Sequence, residues 1–456
     1  MVLGLSSLKK KKQTDTIPND LSSFWMPFTP QRSYKANPRS VKSAKGMYYT
    51  TDDGRQVLDA CSGLWCVTLG HSHPKVVEAI QRQAADLDYV PNFQYSHNVA
   101  FETASRLCAE LPGDLDHVFF SNSGSEAVDT ALKIVLAYYR AIGKPEKTRF
   151  IGRRRNYNGV GFGGISVGGI PYTKDVFSAA LLPNCSHIGE TYNAQHQAYS
   201  KGQPEWGAHL ADELEDVISM YGSNNVACVI IEPVVGSAGI IPPPKGYLER
   251  MRKICDEHDI MMIFDEVTTG WGRLGYSSAA ERFGVMPDIM TCAKGINNGA
   301  VPLGATFVRK PIYDAFMNGP KEVIELMHGY TYSGHPLACA ASLATLDVIK
   351  EEGLFERVQE LEPIWADALH SLKGRRHVVD IRNIGLMGGV EIDLGDKRGE
   401  EDMSRTMEAF DKLFFEKDLA VKYTGPVFAL SPSFIVSEQE IDRIVTTLGD
   451  MLETID

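Results

Sequence analysis

The chain lacks any apolar run near the roughly 20 residues that a membrane-spanning helix needs. The lysines Lys9–Lys12 are not followed by an apolar segment, so no secretory leader is expected there. There is no dominant basic field: the formal net charge is -12, which argues against a role on nucleic acid. The eight cysteines are scattered and form no C-x-x-C pair. Several sit in apolar patterns, as small buried hydrophobes, and this suits a reducing cytoplasm. No G-x-x-x-x-G-K-[ST] occurs, which excludes the lysine-bearing phosphate loop of nucleotide hydrolases. His71-x-His73, before Pro74, has no further ligand at metal spacing, so a turn-and-cap role is expected. No internal repeat and no low-complexity linker are visible.

At 456 residues, 43% hydrophobic and 23% charged, the chain can bury a large core in two or more lobes. Residues 1–20 read as a polar, solvated tail. Phe24-Trp-Met-Pro-Phe28 is an apolar arm suited to dock on the core or on a partner subunit. Met47–Asp59 reads as a hairpin turning at Asp53-Gly54. Val76, Val77, Ile80 and Ala84 share one helical face, and a second helix covers Ala100–Leu111, ended by Pro112-Gly113. An α/β alternation follows: strand His117–Phe120, helix Ala127–Ala141, helix Asp212–Tyr221, strand Val226–Ile231, helix Gly246–His258. β-Branched runs separated by helices imply a mainly parallel sheet covered on both faces. Residues 172–210 read as irregular. Beyond about residue 340, helices Ala338–Glu351 and Phe355–Lys373 alternate with short strands Gly389–Ile392 and Phe428–Leu430, giving a smaller α+β lobe.

Two buried-strand patterns end on charges. Ile260-Met-Met-Ile-Phe runs into Asp265, and Asp288-Ile-Met-Thr-Cys-Ala runs into Lys294. The carboxyl ends of such strands are where open α/β sheets bind ligands. The two residues read either as an ion pair at the sheet edge or as a cofactor site, with Lys294 a Schiff-base nucleophile and Asp265 the partner of a pyridinium nitrogen. Ser123, Gly124 and Ser125 open a helix and read either as a plain N-cap or as a phosphate cradle of amides and hydroxyls. Gly159-Val-Gly161-Phe-Gly-Gly164 matches G-x-G-x-x-G, but its glycines and Pro171 argue against a following helix, so the dinucleotide reading fails and a loop is expected.

Taken in order, Ser123–Ser125, Tyr157, Asp265-x-Val267, Gly272-Arg273-x-Gly275, Lys294 and Tyr330-Thr331-Tyr332-Ser-Gly-His-Pro336 resemble the class III, pyridoxal-phosphate-dependent aminotransferases of fold type I. The resemblance runs from about Phe24 to the C-terminus. Leu21-x-x-Phe-Trp-Met-Pro-Phe28, Ser62-Gly-Leu-Trp65, Phe93-Gln-Tyr95-x-His97 and Glu232-Pro-Val-x-Gly236-Ser-Ala-Gly239 are similar to the ω-amino acid:pyruvate and amine:pyruvate group. It implies a large domain with a mostly parallel seven-stranded sheet between helices, and a smaller α+β domain built from both ends of the chain. The expected bounds are 21–73 and 338–456 for the small domain and 74–337 for the large one.

The resemblance also implies roles. Lys294 would bind pyridoxal 5′-phosphate and shuttle a proton. Asp265 would pair with the pyridine nitrogen, Val267 and Tyr157 would cover the ring faces, and Ser123, Gly124 and Ser125 would hold the phosphate. Thr331 would reach the phosphate of a second subunit, making a homodimer with shared sites, possibly a tetramer. Trp65, Phe28 and Phe93 would line an aromatic substrate pocket, and an amine and a keto acid would be the substrates. Same-fold decarboxylases and aminomutases use the same lysine and aspartate. A non-catalytic binding protein would be expected to lose one of them, and both are present.

Three positions depart from the family pattern. Asn158 stands where a histidine usually precedes Gly159. Lys422, in Val421-Lys422-Tyr-Thr-Gly425, stands where an arginine usually grips the acceptor carboxylate, and lysine cannot make its planar bidentate fork. Ser237 stands where relatives that use α-ketoglutarate hold a gating glutamate. Both members of the gate are changed, which argues against an α-ketoglutarate enzyme. Lys422 is the first candidate for the carboxylate anchor and Arg155 the second.

Overall fold

The computed structural model describes residues 21–395 and 404–455; the expected tail, with Lys9–Lys12, lies outside them. Three sheets organise the chain. The first begins with β1 (Val41–Lys45), β2 (Tyr48–Thr51) and β3 (Gln56–Asp59), antiparallel, with Gly54 at φ +87° in the expected Asp53-Gly54 turn. The central sheet contains β4 (His117–Ser121), β5 (Arg149–Arg153), β6 (Cys185–Ile188), β7 (Val226–Ile231), β8 (Met261–Asp265), β9 (Ile289–Cys292) and β10 (Gly304–Val308). Its order is β4-β10-β9-β8-β7-β5-β6. All pairings from β9 through β8, β7 and β5 to β6 are parallel, and β10 runs antiparallel to both neighbours.

The central strands read as continuous apolar runs because both faces are covered. In β7, Val229 and Ile231 join a core with Leu214, Ile218 and Met251 from the helices Glu213–Tyr221 and Tyr247–Glu257. Cys228 and Ile230 point the other way, into a core with Val128, Ala131 and Val135 of the helix Gly124–Ala141. β8 divides likewise, Met262 and Phe264 to one side, Met261 and Ile263 to the other. The period-2 alternation puts Asp265 on the face of Met261 and Ile263, where Gly124–Ala141 lies.

The third sheet holds β11 (Val378–Ile384), β12 (Met387–Ile392), β14 (Lys422–Thr424) and β15 (Val427–Leu430), in the order β11-β12-β15-β14. The short β13 (Leu419–Ala420) leaves this region and pairs parallel with β3. One core joins Met47 and Leu58 from the N-terminal segment to Trp365, Phe428 and Leu448 from the C-terminal one. The smaller domain is therefore built from both ends of the chain, as expected. No described helix is long and apolar enough to cross a membrane.

Two expectations need correction. The glycine-rich stretch after Tyr157 is not all loop: Phe162–Val167 is a short helix. Gly164 donates to Asp129 Oδ1 at 2.9 Å, and a Cβ there would fall 2.3 Å from the Asn158 carbonyl. Close packing, which local propensity cannot report, selects both the glycine and the helix. Residues 172–210 also contain a strand, β6, whose edge position asks for little apolar patterning.

Under the loop 236–240, Arg382 is buried between Asp380 and Glu391 and donates to the carbonyls of Gly239 at 2.9 Å and Ile240 at 3.2 Å. Arg382→Met would remove the guanidinium that two buried carboxylates share. It should cost about 3–5 kcal/mol, read by chemical denaturation.

Candidate functional site

Asp265 and Lys294 stand at the ends of adjacent parallel strands. Asp265 is 4% exposed. Its Oδ2 accepts Asn158 Nδ2 at 2.8 Å, and its Oδ1 accepts the Val267 amide at 3.2 Å and Thr291 Oγ1 at 3.3 Å. Burial pushes its carboxyl up, against these donors and the Lys294 charge, which pull it down. The neighbouring Glu266 points elsewhere: it accepts the Ala279 and Ala280 amides and caps the helix Ala279–Phe283. Of two adjacent acids, only Asp265 faces the site.

Lys294 has φ +53°, uncommon for a non-glycine residue. Its Nζ donates to Thr268 Oγ1 at 3.0 Å and lies 5.1 Å from the centroid of the Trp65 ring. It makes no ion pair with Asp265, so the simple sheet-edge pair is not formed.

Ser123 caps Gly124–Ala141, its hydroxyl accepting the Glu126 amide at 3.2 Å, and Ser125 Oγ accepts the Val160 amide at 3.0 Å. The hydroxyls are thus engaged within the chain. The first-turn amides of Gly124 and Ser125 have no intrahelical acceptor, and they sit at the positive end of an 18-residue helix. A Cβ on Gly124 would come within 2.8 Å of Val267 Cγ2. The cradle thus needs glycine, and Val267 packs directly against it.

Tyr157 is half-buried. Its amide donates to Glu232 Oε1 at 2.7 Å, and burial together with the charges of Asp265 and Glu232 raises its hydroxyl pKa. Glu232, which sequence reasoning used only as a motif member, ties two loops of the site: its Oε2 accepts the Gly236 amide at 2.9 Å. It stands at the end of a buried strand just as Asp265 does, so the same signal could have found it. Asn158, read only as a departure, is the donor to Asp265, and its Oδ1 is buried without a partner. Thr268 and Thr291 carried no sequence signal.

Trp65 is buried in a turn where Ser62, Gly63, Leu64 and Trp65 have φ of +42°, +55°, +67° and +63°. Each left-handed non-glycine residue costs roughly 1 kcal/mol, so the surroundings must impose this turn. Phe28 and Phe93 are 73% and 51% exposed, and a single chain does not close them over Lys294. Phe93 packs on Gly329, and Tyr89 Oη donates to the Thr331 carbonyl at 3.0 Å, so the segments around Phe93 and Thr331 share one exposed surface.

Thr424 Oγ1 donates to the Ser237 carbonyl. Lys422, two residues earlier in β14, shares that side of the strand. Its Nζ meets no carboxylate among the described residues and lies 5.8 Å from the Tyr423 ring centroid. Arg155, the second candidate, is already engaged, by Glu190 Oε2 at 3.0 Å and the Ala238 carbonyl at 2.7 Å. Of the pair read as turn and cap, His73 stands at the N-cap of the helix Pro74–Asp86, without a side-chain cap bond, and His71 Nε2 bonds Asp59 Oδ2 at 2.9 Å.

The class III aminotransferase family model matches residues 29–452. The chain belongs to the class III aminotransferases. It is 55% identical to the ω-aminotransferase of Caulobacter vibrioides, over 96% of this chain and 99% of that one. It is 43% identical to the β-alanine–pyruvate aminotransferase of Pseudomonas aeruginosa, over 96% of each. Among solved structures, an amine transaminase from an uncultivated Pseudomonas species in its PLP-bound form superposes with a TM-score of 0.87 at 34% identity, covering 96% of this chain and 100% of that one. The enzyme is therefore a transaminase of fold type I that works with pyridoxal 5′-phosphate.

The residues fit that cofactor. A desolvated carboxylate, an amine with no ion pair to it, a helix N-terminus with free amides, and a glycine whose Cβ would fill the space against Val267 all meet in one place.

Glu232 is pushed up to about 7, by burial first and then by the Asp265 charge. A carboxyl whose folded pKa lies above its unfolded value stabilises the fold at low pH and loses that contribution as pH rises. Stability of the cofactor-free protein should therefore fall as pH rises from about 4.5 to about 7. Glu232→Gln should flatten this part of a Tm-against-pH profile.

Proposed function

We propose that this enzyme transfers the amino group of an ω-amino acid or primary amine to pyruvate, giving an aldehyde, ketone or oxo acid and alanine. One observation carries the acceptor reading: Lys422 meets no carboxylate among the described residues, and it lies two residues from Thr424, which bonds the Ser237 carbonyl. A small keto acid brings a single carboxylate, which one ammonium can hold. No glutamate stands at the Ser237 position to gate it. The Pseudomonas aeruginosa relative is named for β-alanine and pyruvate, which supports the same choice.

Bound pyridoxal phosphate supplies an electron sink that lets a proton leave the carbon bearing the amino group. The Lys294 amine holds the cofactor and moves the proton at that carbon. The Asp265 carboxylate keeps a proton on the pyridine nitrogen, with Asn158 fixing its second oxygen. Val267 and Tyr157 cover the ring faces, and the Ser123, Gly124 and Ser125 loop holds the phosphate through its amides. Trp65 walls the amine pocket and excludes water, and Lys422 orients the keto acid.

The working unit is read as a homodimer, in which Thr331 of the partner subunit completes the phosphate site. Phe28, Phe93 and Trp25, exposed in one chain, are the surface such a partner would cover. Cytoplasmic placement rests on the eight free cysteines. The small domain is assigned to 21–73 and 338–456, the large one to 74–337.

Alanine production from pyruvate across a panel of amine donors tests the reaction, and activity with α-ketoglutarate alone would overturn the acceptor. Lys294→Ala should lose the visible absorbance of bound cofactor and several orders of magnitude in turnover. Lys422→Ala should raise KM for pyruvate about tenfold or more with a smaller change in kcat.

A further inference from the structure

The strained turn that carries Trp65 is held by a carboxylate. Asp59 ends β3 with its side chain 3% exposed. Its Oδ1 accepts the Cys61 amide at 2.9 Å, and its Oδ2 accepts the Gly63 amide at 2.7 Å and His71 Nε2 at 2.9 Å. The His71 ring packs on Tyr49, with centroids 4.6 Å apart. From the opposite side, Ser62 Oγ donates to the Ser431 carbonyl at 2.8 Å and accepts Arg273 Nη2 at 2.9 Å. Arg273 is itself buried, donating to the Pro432 carbonyl at 2.6 Å. No other described acid reaches the turn's amides. Trp65 shares a core cluster with Val234, Ile240 and Ala429, and Lys294 Nζ lies over its ring.

We infer that Asp59 is a positioning residue that sets the size selectivity of the amine pocket, by holding the left-handed Ser62–Trp65 turn and so the Trp65 wall. This rests on the reading of Trp65 as that wall. Three donors converge on Asp59, and only a carboxylate can accept them all. An asparagine in its place turns an N–H₂ toward at least one of these donors. The turn then loses a restraint while β3 and the core beneath it remain. A merely structural role would lower stability and leave selectivity alone.

The test uses the holoenzyme, with pyruvate as acceptor and two donors, β-alanine and benzylamine, in the wild type, Asp59→Asn, Trp65→Ala and the double variant. Trp65→Ala should shift the ratio of kcat/KM for benzylamine over β-alanine upward by about tenfold. Asp59→Asn should shift it the same way, through KM more than kcat. The double variant should go no further than Trp65→Ala, because Asp59 acts through that ring. A ratio unchanged in Asp59→Asn but moved in Trp65→Ala overturns the inference alone, as does full multiplication of the two effects. A ratio unchanged in Trp65→Ala overturns the pocket reading and the inference with it. If Asp59→Asn does not fold, His71→Ala removes one of the three donors and carries the same test, with a smaller upward shift expected and an unchanged ratio overturning.

Discussion

Asp265 is buried at the end of a strand with no exposed residue, and the cost of keeping a charge there shapes everything around it. Desolvation favours its protonated form, which would be useless against a pyridine nitrogen. Asn158, Thr291 and the Val267 amide favour the charged form, and Lys294 adds its field. These groups come from three segments of the chain, around residues 158, 265–267 and 291–294. Holding them together requires the parallel register of β8 against β9 and the fold-back of the 154–169 segment.

The same logic recurs at lower stakes. Glu232 ties the Tyr157 and Gly236 loops through two amides, Glu266 caps a short helix, and Asp59 holds the turn below Trp65. Each is a buried carboxylate that accepts backbone amides and so fixes a loop, and Asp59 takes the His71 ring as well. The turns and loops around Lys294 and Asp265 are thus held by carboxylate–amide clamps. Lys422, on a short strand, has no such clamp among the described residues.

Much of the fold was legible because its central strands are buried on both faces. Val226–Ile231 and the runs into Asp265 and Lys294 are too apolar to be anything but interior, and their separation by helices implies parallel pairing. Elements under weaker constraint were missed. β6 lies at a sheet edge, and Phe162–Val167 is helical only because its glycines fit against Asp129 and Asn158. In the candidate site, Lys294, Asp265 and the 123–125 loop could be proposed from type and spacing, and Val267 from the family resemblance. Asn158, Thr268 and Thr291 could not, because a hydrogen bond between residues far apart in sequence leaves no local pattern.

Composition and periodicity alone determined that this is an α/β protein with charged groups at strand ends, and motif order determined its family. Both follow from short-range rules: which residues prefer an interior, which turns need glycine, which spacing puts a loop before a helix. Only the tertiary structure decided which of the adjacent acids Asp265 and Glu266 faces the site, and that His71 braces Asp59. It also decided that Arg155 is already committed to Glu190 while Lys422 meets no carboxylate among the described residues. Those are questions of direction and distance between segments, which packing resolves and a one-dimensional pattern does not contain.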